Sequence, residues 1–306
     1  MNINYYNVNE LKSCLSTLSI EMKGAFQGKN IAKLSTPEEA DENSLIWISP
    51  SKQDKESLIA RSRASIIVCD PTVKTELFPE KCFIVTENPK LAFLRIGNSL
   101  FKKPVSFGIH PTVVIHPEAK IAENVYIGPF TYIGKCEIGK GVCIEGHCYL
   151  HDNVVIRDQV IIFAGCKIGG VGLGHIFNEN GDLENFPQIG GVIIEERVEL
   201  GASCIVLRGA LSSTRIGKNT KIDCHVIVGH NVVIGQNTLV AANSVLGGSS
   251  FIGNNVFIGI NATVVDYIQI GHGAFVGAGA IVLEDIPQNT KIIARPSVII
   301  PHEIDR

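Results

Sequence analysis

Residues 216–252 carry an aliphatic residue at every sixth position and read IGKNTKIDCHVIVGHNVVIGQNTLVAANSVLGGSSFI. The spacing continues to residue 282 and begins, with interruptions, at residue 109. A period of six matches neither the period of an amphipathic helix nor the alternation of a simple strand. It predicts a solenoid with three short flat sides, and therefore 3 × 6 = 18 residues per coil.

Two other positions of the repeat are restricted in residue type. Gly or Asn recurs near the corners, where it relieves the steric cost of turning. The position two residues before the aliphatic anchor is often small, as at Thr220, Ser244, Ala262 and Cys204, which predicts a narrow interior. Cys148 and Cys166 fall in this position, and we interpret them as small buried residues rather than as a disulfide or a metal site.

The composition agrees with a narrow interior and also divides the chain. Of 306 residues, 45% are hydrophobic but only 7% are aromatic, and the formal net charge is −3. These values exclude a disordered chain and argue against a dedicated nucleic-acid-binding protein. Only three of the 30 Gly precede residue 105, so 30 − 3 = 27 follow it. We therefore expect domains at 1–105 and 106–290, and a tail at 291–306.

The sequence contains no segment that predicts membrane insertion or export. No apolar run of about 18 residues occurs, so no transmembrane helix is expected. The N-terminus lacks the basic and apolar regions of a signal peptide. The nine Cys include no Cys-x-x-Cys pair, and His225, His230 and His272 lack a spacing that supports zinc. We expect a cytoplasmic protein with reduced thiols and no metal.

The first 105 residues lack the repeat and predict a small α/β domain. Helical spacing and short apolar runs alternate there, as in α/β layer structures. The expected helices are residues 7–18, 53–61 and 89–101, and the expected strands are residues 44–49, 64–69 and 82–86. Residues 102–104, Lys-Lys-Pro, are expected to link this domain to the solenoid.

The repeat resembles the left-handed parallel β-helix of the hexapeptide-repeat acyltransferases over about residues 109–285. This resemblance implies a homotrimer with active sites between neighbouring subunits. Residues 88–93, NPKLAF, and 45–49, LIWIS, resemble the N-terminal domain of the UDP-3-O-acylglucosamine N-acyltransferases of lipid A biosynthesis. That resemblance implies that this domain binds a nucleotide sugar, with Trp47 against the nucleobase.

Residues 169–193 break the repeat and read GGVGLGHIFNENGDLENFPQIGGVI. Long ordered loops in compact folds are usually functional. We expect this insert to lean over the groove between subunits, and we expect His175 to contact the substrate.

Residues 223–235, DCHVIVGHNVVIG, resemble the segment that carries the catalytic His of the lipid A N-acyltransferases and related O-acyltransferases. His230 matches that His, and the repeat places it at a corner, facing outward. A His can accept the proton of an attacking amine near neutral pH. The resemblance implies that Gly248, one coil later, offers its backbone N–H to the oxyanion. It also implies that Asp223 orients the imidazole or binds the substrate amine.

Three departures from the lipid A enzymes favour a different donor. Tyr267 stands where that family has a second His, no Tyr follows Trp47, and the chain ends soon after the last coil. We expect Tyr267 and Asn231 to bind substrate, and acyl-coenzyme A to be the donor. Gly259 and Gly277 are then expected to lie against the pantetheine, and Arg295 is expected to face the phosphates.

The leading hypothesis is a coenzyme A-dependent N-acyltransferase with His230 as general base. It moves an acetyl or short 3-hydroxyacyl group to the amine of a dTDP- or UDP-4-amino-4,6-dideoxyhexose for surface polysaccharides. One alternative is a lipid A N-acyltransferase that uses acyl carrier protein. Another is a non-catalytic β-helix that acts as a scaffold or as a sugar-binding trimer.

Overall fold

A computed structural model describes residues 4–102 and 107–295 of the chain. The chain divides into two compact units, Met1–Pro104 and Val105–Arg306. Most of the expected linker and residues 296–306 of the expected tail lie outside the described residues.

The first unit contains one five-stranded sheet with helices, so it is an α/β unit. The strands are β1 Glu21–Lys23, β2 Lys33–Leu34, β3 Ser44–Trp47, β4 Ile66–Cys69 and β5 Cys82–Val85. Their order in the sheet is β1-β5-β4-β3-β2, in which only β1 is antiparallel to its neighbour. The helices are α1 Val8–Cys14, α2 Lys55–Arg61 and α3 Pro89–Ile96, with a 3₁₀ turn at Thr75–Leu77 and a π turn at Gly97–Phe101.

Local capping and burial explain most of these elements. Asn7 caps α1 in a capping box with Glu10, and Asn88 caps α3 ahead of Pro89. Strands β4 and β5 are buried at every position, which is why their apolar runs predict them well. Strands β1 and β2 were not predicted, because they are short and carry few apolar residues.

The second unit is a three-sided parallel β-helix. Its strands are mostly two residues long and pair with strands one coil away. The first face contains β7 Val114–Ile115, β10 Tyr132–Ile133, β13 Tyr149–Leu150, β16 Lys167–Gly170, β21 Ile205–Leu207, β24 Ile227–Val228, β27 Val245–Leu246, β30 Thr263–Val264 and β33 Ile281–Val282. The second face contains β8 Lys120–Ile121, β11 Glu137–Ile138, β14 Val154–Ile156, β19 Val192–Ile194, β22 Thr214–Ile216, β25 Val233–Ile234, β28 Phe251–Ile252 and β31 Gln269–Ile270. The third face contains β6 Gly108–Ile109, β9 Tyr126–Ile127, β12 Cys143–Ile144, β15 Ile161–Ile162, β20 Glu199–Leu200, β23 Lys221–Ile222, β26 Leu239–Val240, β29 Phe257–Ile258, β32 Phe275–Val276 and β34 Lys291–Ile292.

The predicted coil length and interior are confirmed in the regular coils. Val228 pairs with Leu246 and Leu246 pairs with Val264, so 246 − 228 = 264 − 246 = 18 residues separate neighbouring coils. The anchors from Ile216 to Val282 are all buried. A continuous apolar column of this kind supplies most of the driving force for stacking the coils.

The corners are made by residues in the left-handed backbone conformation. Asn231, Asn237 and Asn243 have φ of 59°, 55° and 59°, and each lies three residues after an anchor. Asn tolerates this region better than most residues that carry a side chain. The Gly that directly follows an anchor has another cause: a Cβ on Gly259 would lie 2.5 Å from the backbone N of Ala278 in the next coil.

The small buried position also forms hydrogen bonds, which the sequence did not indicate. The Thr220 hydroxyl donates to the Gly235 carbonyl at 2.7 Å, and the Ser244 hydroxyl donates to the Gly259 carbonyl at 2.9 Å. Cys166 and Cys204 donate in the same way to carbonyls of the following coil. These residues therefore link neighbouring coils, and all nine Cys are free thiols.

All three interruptions of the repeat fall at the corner between the first and second faces, which we call the site corner. Ile133 and Ile138 are one residue closer than the rule requires, and residues 208–213 lengthen a later coil. The insert lies between β16 and β19 and contains a hairpin of β17 His175–Phe177 and β18 Leu183–Asn185. Beyond it the stacking resumes, since Val155 pairs with Ile193.

Candidate active site

His230 lies at the site corner, two residues after the anchor Val228, and is half-buried. Its ring is held between two glycines. A Cβ on Gly172, from the insert, would lie 2.8 Å from Cδ2 of His230. A Cβ on Gly248, one coil later, would lie 2.7 Å from both Cε1 and Nε2. Because neither position has room for a side chain, the two backbones fix the plane of the imidazole.

Asn231 connects His230 to the lengthened coil. Its Oδ1 accepts a hydrogen bond from the backbone N–H of Ala210 at 2.8 Å. Its Nδ2 lies 3.1 Å from Nδ1 of His230 and 3.5 Å from Oγ of Ser249. Its backbone N–H donates to Oγ1 of Thr214 at 2.9 Å. The Asn231 amide, which is expected to bind substrate, thus has hydrogen-bond partners within the protein at both its oxygen and its nitrogen.

The backbone N–H of Gly248, which is expected to face the oxyanion, has a partner within the protein in this structure. Its backbone N–H donates to Oδ1 of Asp266 at 2.6 Å. Gly248 is instead required by the approach of the His230 ring described above. Asp266 was missed in the sequence, although 230 + 2 × 18 = 266 places it two coils from His230.

The insert and the site corner line an open cavity of about 660 Å³. Four of the expected site residues line it, namely His175, His230, Asn231 and Tyr267. Asn231, Ser249 and Tyr267 occupy the same left-handed corner position on three successive coils. Tyr267 is 75% exposed, and a left-handed backbone is uncommon for a residue of its size.

Apolar side chains of the insert form one wall of this cavity. Leu173, Ile176 and Phe186 line the cavity, and Leu173 is 82% exposed. Gln188 also lines it, and its buried Oε1 has no hydrogen-bond partner among the described residues. Sequence reasoning missed Gln188 because an amide inside a Gly-rich loop carries no spacing signal.

Asp223 lies at the corner between the third and first faces, not at the site corner. Its Oδ1 accepts the backbone N–H of Cys224 at 2.7 Å, and it lines a separate groove of about 530 Å³ with Phe163 and Phe257. Within one chain Asp223 and His230 therefore lie at different corners, and the roles expected for Asp223, orienting the imidazole or binding the substrate amine, stay predictions. Seven residues carry the chain from one corner to the next, so a short sequence separation does not mean proximity here.

The residues expected to bind coenzyme A have other surroundings. Gly259 and Gly277 are buried and packed against the next turns of chain, which accounts for the absence of a side chain. Arg295 is exposed beside Ile293 and Leu283 at the end of the solenoid. Neither Gly lines the cavity at His230.

Trp47 is half-buried in the first unit and packs against Phe93 of α3, with ring centroids 6.4 Å apart. It belongs to the apolar cluster on one face of the sheet. Across residues 4–102 and 107–295, no group of three His, Cys, Asp or Glu side chains is arranged to hold a metal ion. In those same segments no helix has the length and hydropathy needed to cross a bilayer.

The chain matches known proteins along much of its length. Residues 213–248 and 249–284 match the family model described as bacterial transferase hexapeptide (six repeats). A UDP-3-O-acylglucosamine N-acyltransferase from Coxiella burnetii (strain Dugway 5J108-111) is 34% identical over 252 residues, which cover 74% of this chain and 70% of that protein. A UDP-3-O-acylglucosamine N-acyltransferase from Pseudomonas entomophila is 32% identical over 235 residues, covering 70% and 65% respectively.

Solved structures agree with the fold. The UDP-N-acetylglucosamine O-acyltransferase of Moraxella catarrhalis superimposes with a TM-score of 0.55 at 26% identity, covering 61% of this chain and 72% of that one. The UDP-N-acetylglucosamine acyltransferase of Francisella novicida gives a TM-score of 0.54 at 25% identity, covering 61% and 67%. The left-handed parallel β-helix predicted from the sequence is confirmed.

These relatives overturn the leading hypothesis of a coenzyme A-dependent enzyme for 4-amino-4,6-dideoxyhexoses. Tyr267 in place of a second His and the missing Tyr after Trp47 do not outweigh the match over most of the chain. The relatives are enzymes, which favours catalysis over a scaffold. The chain is an acyltransferase and belongs to the family of the UDP-3-O-acylglucosamine N-acyltransferases.

Proposed function

We propose that this chain transfers an acyl group from a thioester to the amine of a UDP-linked 3-O-acylglucosamine, with acyl carrier protein as the donor. The observation that carries the proposal is the position of His230, whose ring is fixed by Gly172 and Gly248 at the wall of a cavity. The names of the relatives supply the substrate class. The first unit, with Trp47, is proposed to hold the nucleotide, and the functional assembly is proposed to be a homotrimer.

The chemistry fits the groups that line this cavity. Attack by a neutral amine on a thioester creates negative charge on the carbonyl oxygen, and fixed hydrogen-bond donors stabilise that charge. The cavity combines imidazole, amide, hydroxyl and carboxylate groups with the apolar side chains of the insert. The polar groups suit a sugar amine and its reaction partner, and the apolar side chains suit an acyl chain.

The test is an assay with UDP-3-O-acylglucosamine and either acyl carrier protein or coenzyme A thioesters. We expect an amide product with the carrier-protein donor, and His230→Ala is expected to lower kcat/KM by about 10²-fold or more. His110→Ala, an exposed His outside the cavity, is the matched control and is expected to retain activity. Absence of product with the carrier protein, or full activity of His230→Ala, would refute the proposal.

A further inference from the structure

The cavity at His230 has one acidic side chain and no Lys or Arg in its wall. Asp266 is the only Asp or Glu among the described residues that line it. The other titratable side chains of the lining are His175, His230 and Tyr267. Asp266 is exposed, and it takes part in none of the ion pairs that the described residues form. Its carboxylate is therefore accessible to a cationic group that enters the cavity.

Asp266 and His230 both contact Gly248, and these contacts limit the distance between the two side chains. Oδ1 of Asp266 accepts the Gly248 N–H at 2.6 Å. Nε2 of His230 lies 2.7 Å from the point that a Cβ on Gly248 would occupy. With standard backbone geometry, Oδ1 and Nε2 are therefore at most about 8 Å apart. A single sugar ring with its substituents can reach both groups.

The hydrogen bond from Gly248 to Asp266 belongs to a series that links neighbouring coils. In this series, the residue two positions after an anchor accepts a hydrogen bond from the backbone N–H one coil earlier. Asn254 accepts in this way from Gln236 at 2.9 Å, and His272 accepts from Asn254 at 2.8 Å. An amide oxygen or an imidazole nitrogen thus makes the same link as a carboxylate. The link between coils does not require the negative charge of Asp266.

We propose that Asp266 is the substrate-binding residue that selects an amino sugar, because its carboxylate pairs with the protonated amine of the acceptor. This inference rests on the proposed function and adds the residue that distinguishes the amino sugar from its hydroxyl counterpart. An aliphatic amine is largely protonated near neutral pH, whereas a sugar hydroxyl is neutral. A hydrogen bond between two charged groups is stronger than one in which the donor is neutral. The carboxylate therefore binds the amine more tightly than the hydroxyl.

The pairing with Asp266 precedes acyl transfer and leaves the role of His230 as general base unchanged. The bound ammonium first loses one proton to water, which exposes the lone pair of the nitrogen. His230 accepts the second proton as the nitrogen bonds to the thioester carbon. The C–S bond breaks as the carbonyl re-forms, and His230 gives its proton to the departing sulfur. The products are an amide, a thiol and one proton in solution.

Binding in the absence of an acyl donor measures this selection in the wild-type protein. Isothermal titration calorimetry compares UDP-3-O-acylglucosamine with UDP-3-O-acylglucose, which has a hydroxyl in place of the amine. We expect the amino sugar to bind about tenfold more tightly at neutral pH, as for a hydrogen bond to a charged group. This preference should disappear by about pH 9.5, as the amine loses its proton. Equal affinities at neutral pH, or a preference that does not change with pH, would overturn the proposal.

Asp266→Asn removes the charge and keeps an oxygen that can accept the Gly248 N–H. We expect this variant to bind both sugars with the affinity that the wild type has for the hydroxyl sugar. Thermal unfolding close to that of the wild type is expected, because the link between coils is kept. A folded Asp266→Asn protein that still prefers the amino sugar would overturn the assignment to Asp266. The pH series on the wild type does not depend on the folding of any variant.

Asp158→Asn is the matched control. Asp158 is exposed, lies two residues after its anchor and accepts the backbone N–H of Lys140 at 2.8 Å, but it lies outside the cavity. Its substitution is expected to leave the preference unchanged, and an equal loss would overturn the assignment to Asp266. If the preference is found but no donor gives an amide, the proposed function fails and the amine site stands. If both sugars bind equally, the amine site alone fails, and if neither sugar binds, both proposals fail.

Discussion

The site corner and the corner between the third and first faces have the same backbone but different surroundings. Asn231 and Asn243 both adopt φ of 59°. The site corner gathers every interruption of the repeat, and the insert covers it. At the position two residues after the anchor, the site corner has His230 and, one coil later, Gly248. The other corner has Ala242 and, one coil later, Ile260 at the same position. The comparison teaches that the repeat builds interchangeable corners, and that departures from the repeat make one of them a site.

The largest expected effect comes from the interior that both corners share. Leu246→Ala removes a fully buried anchor beneath the site corner. Loss of such a side chain from a packed core costs about 2–5 kcal/mol, which is about 30-fold to 4,000-fold in the unfolding equilibrium. Denaturant unfolding measures this change. Leu239→Ala, on a half-exposed side chain of the third face, is the control and should cost clearly less. Equal losses would contradict the distinction between inward and outward positions.

Removal of the hairpin of the insert should abolish the catalytic function that distinguishes the site corner from the other corner. Replacing residues 174–187 with a short Gly-Ser linker deletes the hairpin and four of the residues that line the cavity, while Gly172 stays in place. We expect a loss of about 10²-fold or more in kcat/KM, because positioning of substrate is lost. Circular dichroism and thermal unfolding should show an intact β-helix. A folded variant with wild-type kinetics would show that the insert has no part in the site.

A single methyl group tests the packing of the His230 ring. Gly248→Ala places a Cβ only 2.7 Å from Cε1 and Nε2 of His230, so the ring must move. Displacement of a reacting group by about 1 Å can cost about 10²-fold, and we expect a loss of about 10- to 100-fold in kcat. The reverse change at the other corner, Ala242→Gly, is the control. Normal kcat in Gly248→Ala would mean that the ring does not depend on this contact.

The smallest expected effect is a pH dependence of stability at the base of the insert. His151 lies against Gly169, and burial, followed by the nearby Arg208 charge, lowers its pKa. The His151 side chain therefore binds a proton more readily in the unfolded chain than in the folded one. The contribution of neutral His151 to the free energy of unfolding is fully present above about pH 6.5 and is lost as pH falls below that value. We expect Tm to fall less on acidification in His151→Gln, by about a degree, with His110→Gln as the control. An unchanged pH dependence of Tm in His151→Gln would show that His151 does not contribute to the loss of stability at low pH.

Much of the fold could be read from sequence because each coil repeats the same local pattern. The anchors, the coil length and the small interior position all follow from residue types that recur in register. The contacts at His230 could not be read in this way. The bond from Ala210 to Asn231 depends on a four-residue lengthening whose path has no periodic signal, and Gly172 comes from an insert without repeats. Asp223 shows a second reason, since a motif that is continuous in sequence spans two corners of one chain.

The pairing of Val155 with Ile193 across the insert has an evolutionary consequence. The chain leaves the solenoid at a corner and returns in register, so the packing of the interior is the same as it would be without the insert. Segments of different length and composition can therefore be gained or exchanged at such a point without redesign of the hydrophobic column. In this architecture, new specificity can arise by insertion while the inherited scaffold continues to fold as before.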